Sequence, residues 1–161
     1  MGSGRRTLRY ESFDEVMPDV ERLLRGHVTV GNWSLAQICH HVAAVLRRHV
    51  DLPASTPFDP SDRVPEGVKR HMLEAGILPP DIEAPAVTRP DAAGTEREEA
   101  EALRAAIAYY RGSRGPAITH RIFGPLTREE WDRFELVHLA HHLSFVVPAW
   151  SEDDAGGRGE G

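Results

Sequence analysis

Cysteine is almost absent from this chain. Cys39 stands alone in 161 residues, so no internal disulfide can form, and a reducing compartment, the cytoplasm by default, is the expected home. A basic excess is lacking too. Twenty-five acidic residues against 19 basic ones leave a net charge of −6, and half of it comes from Glu152, Asp153, Asp154 and Glu160 against Arg158 near the C-terminus. With little to attract a polyanion, nucleic acid is not an expected partner. No stretch approaches the roughly 18 apolar residues that a spanning helix needs, and the opening MGSGRRTLRY has no apolar run behind its charges. Neither a membrane partner nor a signal peptide is expected. What remains is an ordinary globular mix, 40% hydrophobic and 27% charged, which excludes a disordered or collagen-like chain. The organisation expected is one domain over residues 1–150 and a Gly-rich disordered tail over 151–161.

Four segments open with a hydroxyl residue followed three positions later by Glu or Gln, the pairing that satisfies free N–H groups at a helix start. They are Ser12 with Glu15, Ser34 with Gln37, Thr95 with Glu98 and Thr127 with Glu130. The apolar spacing behind them predicts helices over about 12–25, 34–50, 95–111 and 127–147. Gly26 and Gly112 stand where left-handed caps would close two of these helices, and Pro148 stops the last. Pro18 falls inside the first pattern and predicts a kink or a delayed start. Between the second and third helices, Asp51 to Gly94 holds eight of the chain's 12 prolines. Inside it Glu66 to Ala75, with Gly76 behind, reads as a short helix, and the whole connection reads as a lid over a pocket or as a packed crossover. Ala117 to Phe123 is a weaker candidate for a short strand. The fold class expected is all-α, a four-helix bundle with a long proline-rich connection between helices 2 and 3.

Five of nine histidines fall in two helical stretches, His40 and His41 in the second helix and His138, His141 and His142 in the fourth. His138 and His142 are four residues apart, so they stack on one helix face and can grip one metal ion. On the second helix the apolar stripe runs through Leu35, Ile38, Val42, Val45 and Leu46. His40 points away from it and His41 reaches inward at its edge. On the fourth helix His138, His141 and His142 all lie near the face of Trp131, Phe134 and Phe145, and the wheel does not separate His141 from His142. The competing explanation is a set of packed core histidines. Several imidazoles buried together without a shared partner would be costly, and one ion would satisfy them at once.

The segments GNWSLAQICHHVA, FGPLTREEW and HLAHHLSFVVP resemble the DinB-like superfamily of metal-dependent enzymes, in a branch with no assigned activity. The resemblance runs from about Arg5 to Pro148 and rests on a Trp-Ser helix start, a histidine eight residues after the Trp, and an HxxxH on the last helix. It implies a four-helix bundle with a three-histidine site on His41, His138 and His142, leaving His40 and His141 as neighbours. Characterised members include thiol-dependent transferases and an isomerase, so the resemblance extends the cofactor expectation to a low-molecular-weight thiol.

Three imidazoles leave a coordination position open, as in catalytic zinc sites, and the donor set suits zinc or nickel. The function expected is a metal-dependent transferase or hydrolase acting on a small-molecule substrate, with a non-catalytic, metal-binding or stress-associated bundle as the alternative. A homodimer is left open. Glu135 is the candidate catalytic acid or base; it could also orient an imidazole or be a surface acid at the rim. Gln37 is accounted for by its cap, and Cys39, Trp33, Trp131 and Phe145 read as core. His27, His49, His71 and His120 have no partner at helical spacing and read as surface or loop residues.

Overall fold

The computed structural model describes residues 4–78, 88–90 and 93–149. Within them each long apolar pattern becomes a helix: Val16–Leu24 (α1), Leu35–Asp51 (α2), Glu66–Ala75 (α3), Glu96–Gly112 (α4) and Arg128–Leu143 (α5). All four capping boxes form, on Ser12, Ser34, Thr95 and Thr127, so the local grammar at each start is what the backbone obeys. Pro18 acts as a delayed start. A 3₁₀ turn over Phe13–Glu15 comes first, and the proline then sits in the first turn of α1, where no helical N–H is required of it. The short helix inside the proline-rich connection ends on Gly76, whose left-handed backbone (φ 70°, ψ 34°) closes α3 while the Ile77 N–H donates to the Met72 carbonyl.

Several expectations need correction. The fourth long helix stops at Leu143 instead of running to 147, because Val146–Pro148 (β2) is extended and pairs antiparallel with His27–Thr29 (β1), Thr29 opposite Val146. Two β-branched residues ahead of a proline favour that conformation. The fold is therefore mostly helical with a two-stranded sheet, not purely α. Ala117 to Phe123 forms no strand, only an isolated bridge between His120 and Gly124. Neither proposed glycine cap is left-handed: Gly26 follows an αR residue and is nearly extended at φ 159°, and Gly112 is itself helical with an extended Ser113 after it. The expected tail over 151–161 lies outside the described residues.

Packing sets up the site. α2 lies most extensively along α4 and also against α5, and α1 packs on α4. Leu35, Ile38, Val42 and Leu46 of α2 meet Leu103 and Ile107 of α4 and Leu139 and Leu143 of α5 in the main core. A second, smaller core gathers Leu73 of α3, Ile122 and Phe123 of the preceding loop, and Trp131 and Phe134 from the first half of α5. α5 thus has apolar neighbours on most sides. The N-terminal segment straps the far end of this helix: the Arg6 N–H donates to the Ser144 carbonyl (2.8 Å), and its guanidinium reaches both the Leu143 carbonyl (3.0 Å) and Asp19 (2.9 and 3.0 Å). Among the described residues no helix is long and apolar enough to cross a membrane.

Candidate metal centre

The facing surfaces of α2 and α5 bring His41, His138 and His142 together, with one ring nitrogen from each lying within 4.8 Å of the others. Nε2 of His138 and Nε2 of His142 are 3.1 Å apart. Two nitrogens on a tetrahedral ion with bonds of ~2.05 Å stand about 3.3 Å apart, so this spacing fits a shared metal. His41 is already in the right tautomer. Its Nδ1 lies 2.8 Å from the Thr88 carbonyl, which can only accept, so Nδ1 carries the hydrogen and Nε2 keeps its lone pair for a ligand. The residue that fixes it comes from the long connection.

Electrostatics keep the cluster neutral. Burial lowers His142 to about 2, with the His41 and His141 rings and Arg5 adding to the effect. Burial and the neighbouring imidazoles likewise hold His138 well below its ordinary value. His41 is lowered by burial too, partly offset by its bond to Thr88. Metal binding requires the neutral form. Trp33 covers the group, stacked on His142 at 5.6 Å and tilted against His41 at 5.0 Å. It packs against the edge of the main core and also lines the pocket.

The neighbouring histidines are engaged elsewhere. His40 turns toward α4 and its Nδ1 meets Glu99 at 3.0 Å. Nδ1 of His141 accepts from the Arg5 guanidinium at 2.9 Å. Gln37 is used by its cap, its side-chain oxygen accepting from the Ser34 N–H. Cys39 is fully buried, and burial together with Glu99 and Glu96 pushes its thiol up to about 12, so it is an inert core residue.

The other surprise is Glu135. It is no rim acid: its side chain has 0% exposure, with Oε1 bonded to Nδ1 of His49 and Oε2 buried without a partner. His49 and His120, expected at the surface or in loops, are half-buried on α2 and buried in the loop before α5 respectively. His120 accepts through Nδ1 from the N–H groups of Ile122 (3.0 Å) and Phe123 (3.1 Å). Both rings sit against Trp131 and Phe134. Helical spacing could not find either residue, because His49 meets Glu135 on another helix and His120 lies on a loop. An acid embedded among Phe134, Leu136 and Val137 was the available signal, since a buried carboxylate requires a partner.

A cavity of about 580 Å³ is lined by both groups, His41, His138 and His142 together with His49 and His120. Thr56, Pro57, Phe58, Leu78 and Thr88 bring the proline-rich connection to it. The size suits a small molecule. Among the described residues no fourth histidine, cysteine or carboxylate joins the three imidazoles, so the trio could hold an ion with a position left for a ligand. Comparison with curated proteins and with solved structures gave no match. A family match, in contrast, spans residues 2–149. The chain belongs to the family described as Protein of unknown function (DUF1569).

Proposed function

We propose that the protein is a metal-dependent enzyme in a DinB-like four-helix bundle, holding a divalent ion, zinc or nickel, on His41, His138 and His142. The observation that carries this reading is the trio of converging imidazole nitrogens at the wall of a cavity, without a fourth protein donor among the described residues. The donor set fits the ion: three neutral nitrogens, one already oriented by a backbone carbonyl. Bound there, the ion supplies Lewis-acid activation of an oxygen or sulfur nucleophile. The chemistry is transfer involving a low-molecular-weight thiol, or hydrolysis, on a small-molecule substrate; the thiol rests on resemblance to the DinB-like transferases alone.

Glu135 acts through His49 in this reading. As a carboxylate it accepts the Nδ1 hydrogen of His49, which leaves Nε2 as the basic nitrogen of a ring that lines the cavity. His49 can then take a proton from a nucleophile or return one to a leaving group, and Glu135 is a positioning residue. Metal analysis of protein purified without a histidine tag tests the core of the reading. One zinc or nickel ion per chain is expected, and none in protein supplied with either ion would overturn it.

A further inference from the structure

The cavity has a charge character that its three-histidine corner does not require. Among the described residues that line it there is no Asp or Glu, whereas Arg48, Arg89 and Arg121 all reach it. The chain as a whole carries −6, so this is a local reversal of sign. Eight of the other described arginines, Arg6, Arg9, Arg22 and Arg133 among them, form an ion pair with a carboxylate. Arg48 and Arg121 form none with a described residue. Arg48 stands two turns beyond His41 on α2, seven residues on and so within about 20° of the same face. It is half-buried there, where a guanidinium lacking a counter-ion is partly desolvated without return. Arg121 is on the loop before α5, beside His120.

The remaining wall is apolar. Leu52, Phe58, Leu78, Ile118, Ile122 and Phe134 contribute to it, and such a surface gains by receiving hydrocarbon or aromatic rings. We propose that the cavity binds an amphiphilic organic anion, a carboxylate or phosphate monoester on an apolar body, with Arg48 and Arg121 recognising its head group. This deepens the reading above and rests on it in one respect, that the cavity beside the three histidines is the substrate site. Arginine suits the task because its planar fork can meet two anionic oxygens together. The positive lining inside an acidic molecule also draws anions in and repels cations.

Isothermal titration calorimetry on the full chain as isolated, with metal content measured on the same sample, tests the proposal. The probes are naphthoate, naphthyl phosphate, the neutral naphthamide and the cationic naphthylmethylamine. At least one of the two acids should bind about tenfold or more tightly than naphthamide, and the amine should bind weakest, since each charge-assisted contact is worth roughly a factor of ten. Whichever acid binds more tightly identifies the head group. Arg48→Gln and Arg121→Gln should each lower the affinity for that acid by about tenfold; Arg121 is exposed, so its variant tests recognition without threatening the fold. Equal binding of acid and amide, no binding of any probe, or undiminished acid affinity in the Arg48→Gln/Arg121→Gln double variant would overturn the proposal. A protein that takes up no metal when supplied with zinc or nickel and still prefers the acids would sink the metalloenzyme reading and leave the anion site standing. A metal-loaded sample without acid preference would do the reverse.

Discussion

His41 and His142 each sit beside another histidine that is bonded to a different partner, which makes single replacements informative. His41→Ala, His138→Ala and His142→Ala should each abolish stoichiometric metal after dialysis, while His40→Ala and His141→Ala retain it, because His40 is committed to Glu99 and His141 to Arg5. Retention in all five variants would place the ion elsewhere. His41 was legible in the sequence, because α2 has one apolar face and His41 lies at its edge. The choice between His141 and His142 came only through the family resemblance, since α5 buries Trp131, Phe134, Leu136, Val137, Leu139, Ala140 and Leu143 around most of its circumference and a wheel without a polar side cannot rank neighbours. Glu135 supports a different kind of test. A fully buried carboxylate with one oxygen orphaned recovers little of its desolvation cost, and replacing both members of such a buried pair with apolar residues of similar size is often neutral or stabilising by about 1–4 kcal/mol, whereas removing one partner alone is destabilising. The Glu135→Leu/His49→Leu double variant should therefore keep or raise the melting temperature. A drop of several degrees would show that the His49 pair is a structural element, not a positioning device held at a cost in stability.

At the scale of elements, the helix starts were readable because each capping box is complete within four residues, whereas β1 and β2 were not. Three-residue strands carry too little pattern to register, and their pairing joins positions near opposite ends of the chain. The same holds for the N-terminal strap, whose anchor is a network around Asp19 that accepts from Arg6, Arg22 and the Tyr10 hydroxyl. Burial alone would raise the Asp19 carboxyl, but hydrogen bonds from Arg6 and Tyr10 and the charges of Arg6 and Arg22 outweigh it and hold the pKa below the usual value. Asp19→Ala leaves the nearly buried Arg6 guanidinium uncompensated and should cost about 3 kcal/mol in chemical denaturation. A loss below about 1 kcal/mol would mean that the strap holds without this pair. The sign of the pH effect follows from the lowered pKa: the contribution is fully present above about 3.9, the unfolded value, and disappears as pH falls toward the folded one.

For the whole molecule the histidines, more than the carboxylates, couple folding to pH near neutrality. His120 is pushed down to about 3, chiefly by burial, with His49 and Arg121 adding to it, and protonation of its Nδ1 would break both bonds from the Ile122 and Phe123 backbone. His141 is lowered to about 4 by burial and by Arg5. In the unfolded chain such imidazoles take up protons near about 6.5. Between those values the unfolded state binds more protons than the folded one, so this stability is complete above about pH 6.5 and drains away as pH falls toward the depressed values. The melting temperature of metal-free protein should accordingly begin to fall below about pH 6.5, well before Asp19 titrates, and His120→Asn should flatten part of that slope whatever its effect on stability at neutral pH. Added zinc acts in the opposite direction. At a free concentration of roughly 100 times its Kd it favours the folded state by about 2.7 kcal/mol, and protons compete with it for the same imidazoles. Because burial keeps the folded imidazoles neutral well below their ordinary range, melting curves with and without zinc should stay separated from about pH 8 down through pH 6 and converge only in stronger acid. A zinc-induced shift already lost between about pH 7 and 6 would mean that ordinary solvent-exposed imidazoles, not the three buried histidines, hold the ion.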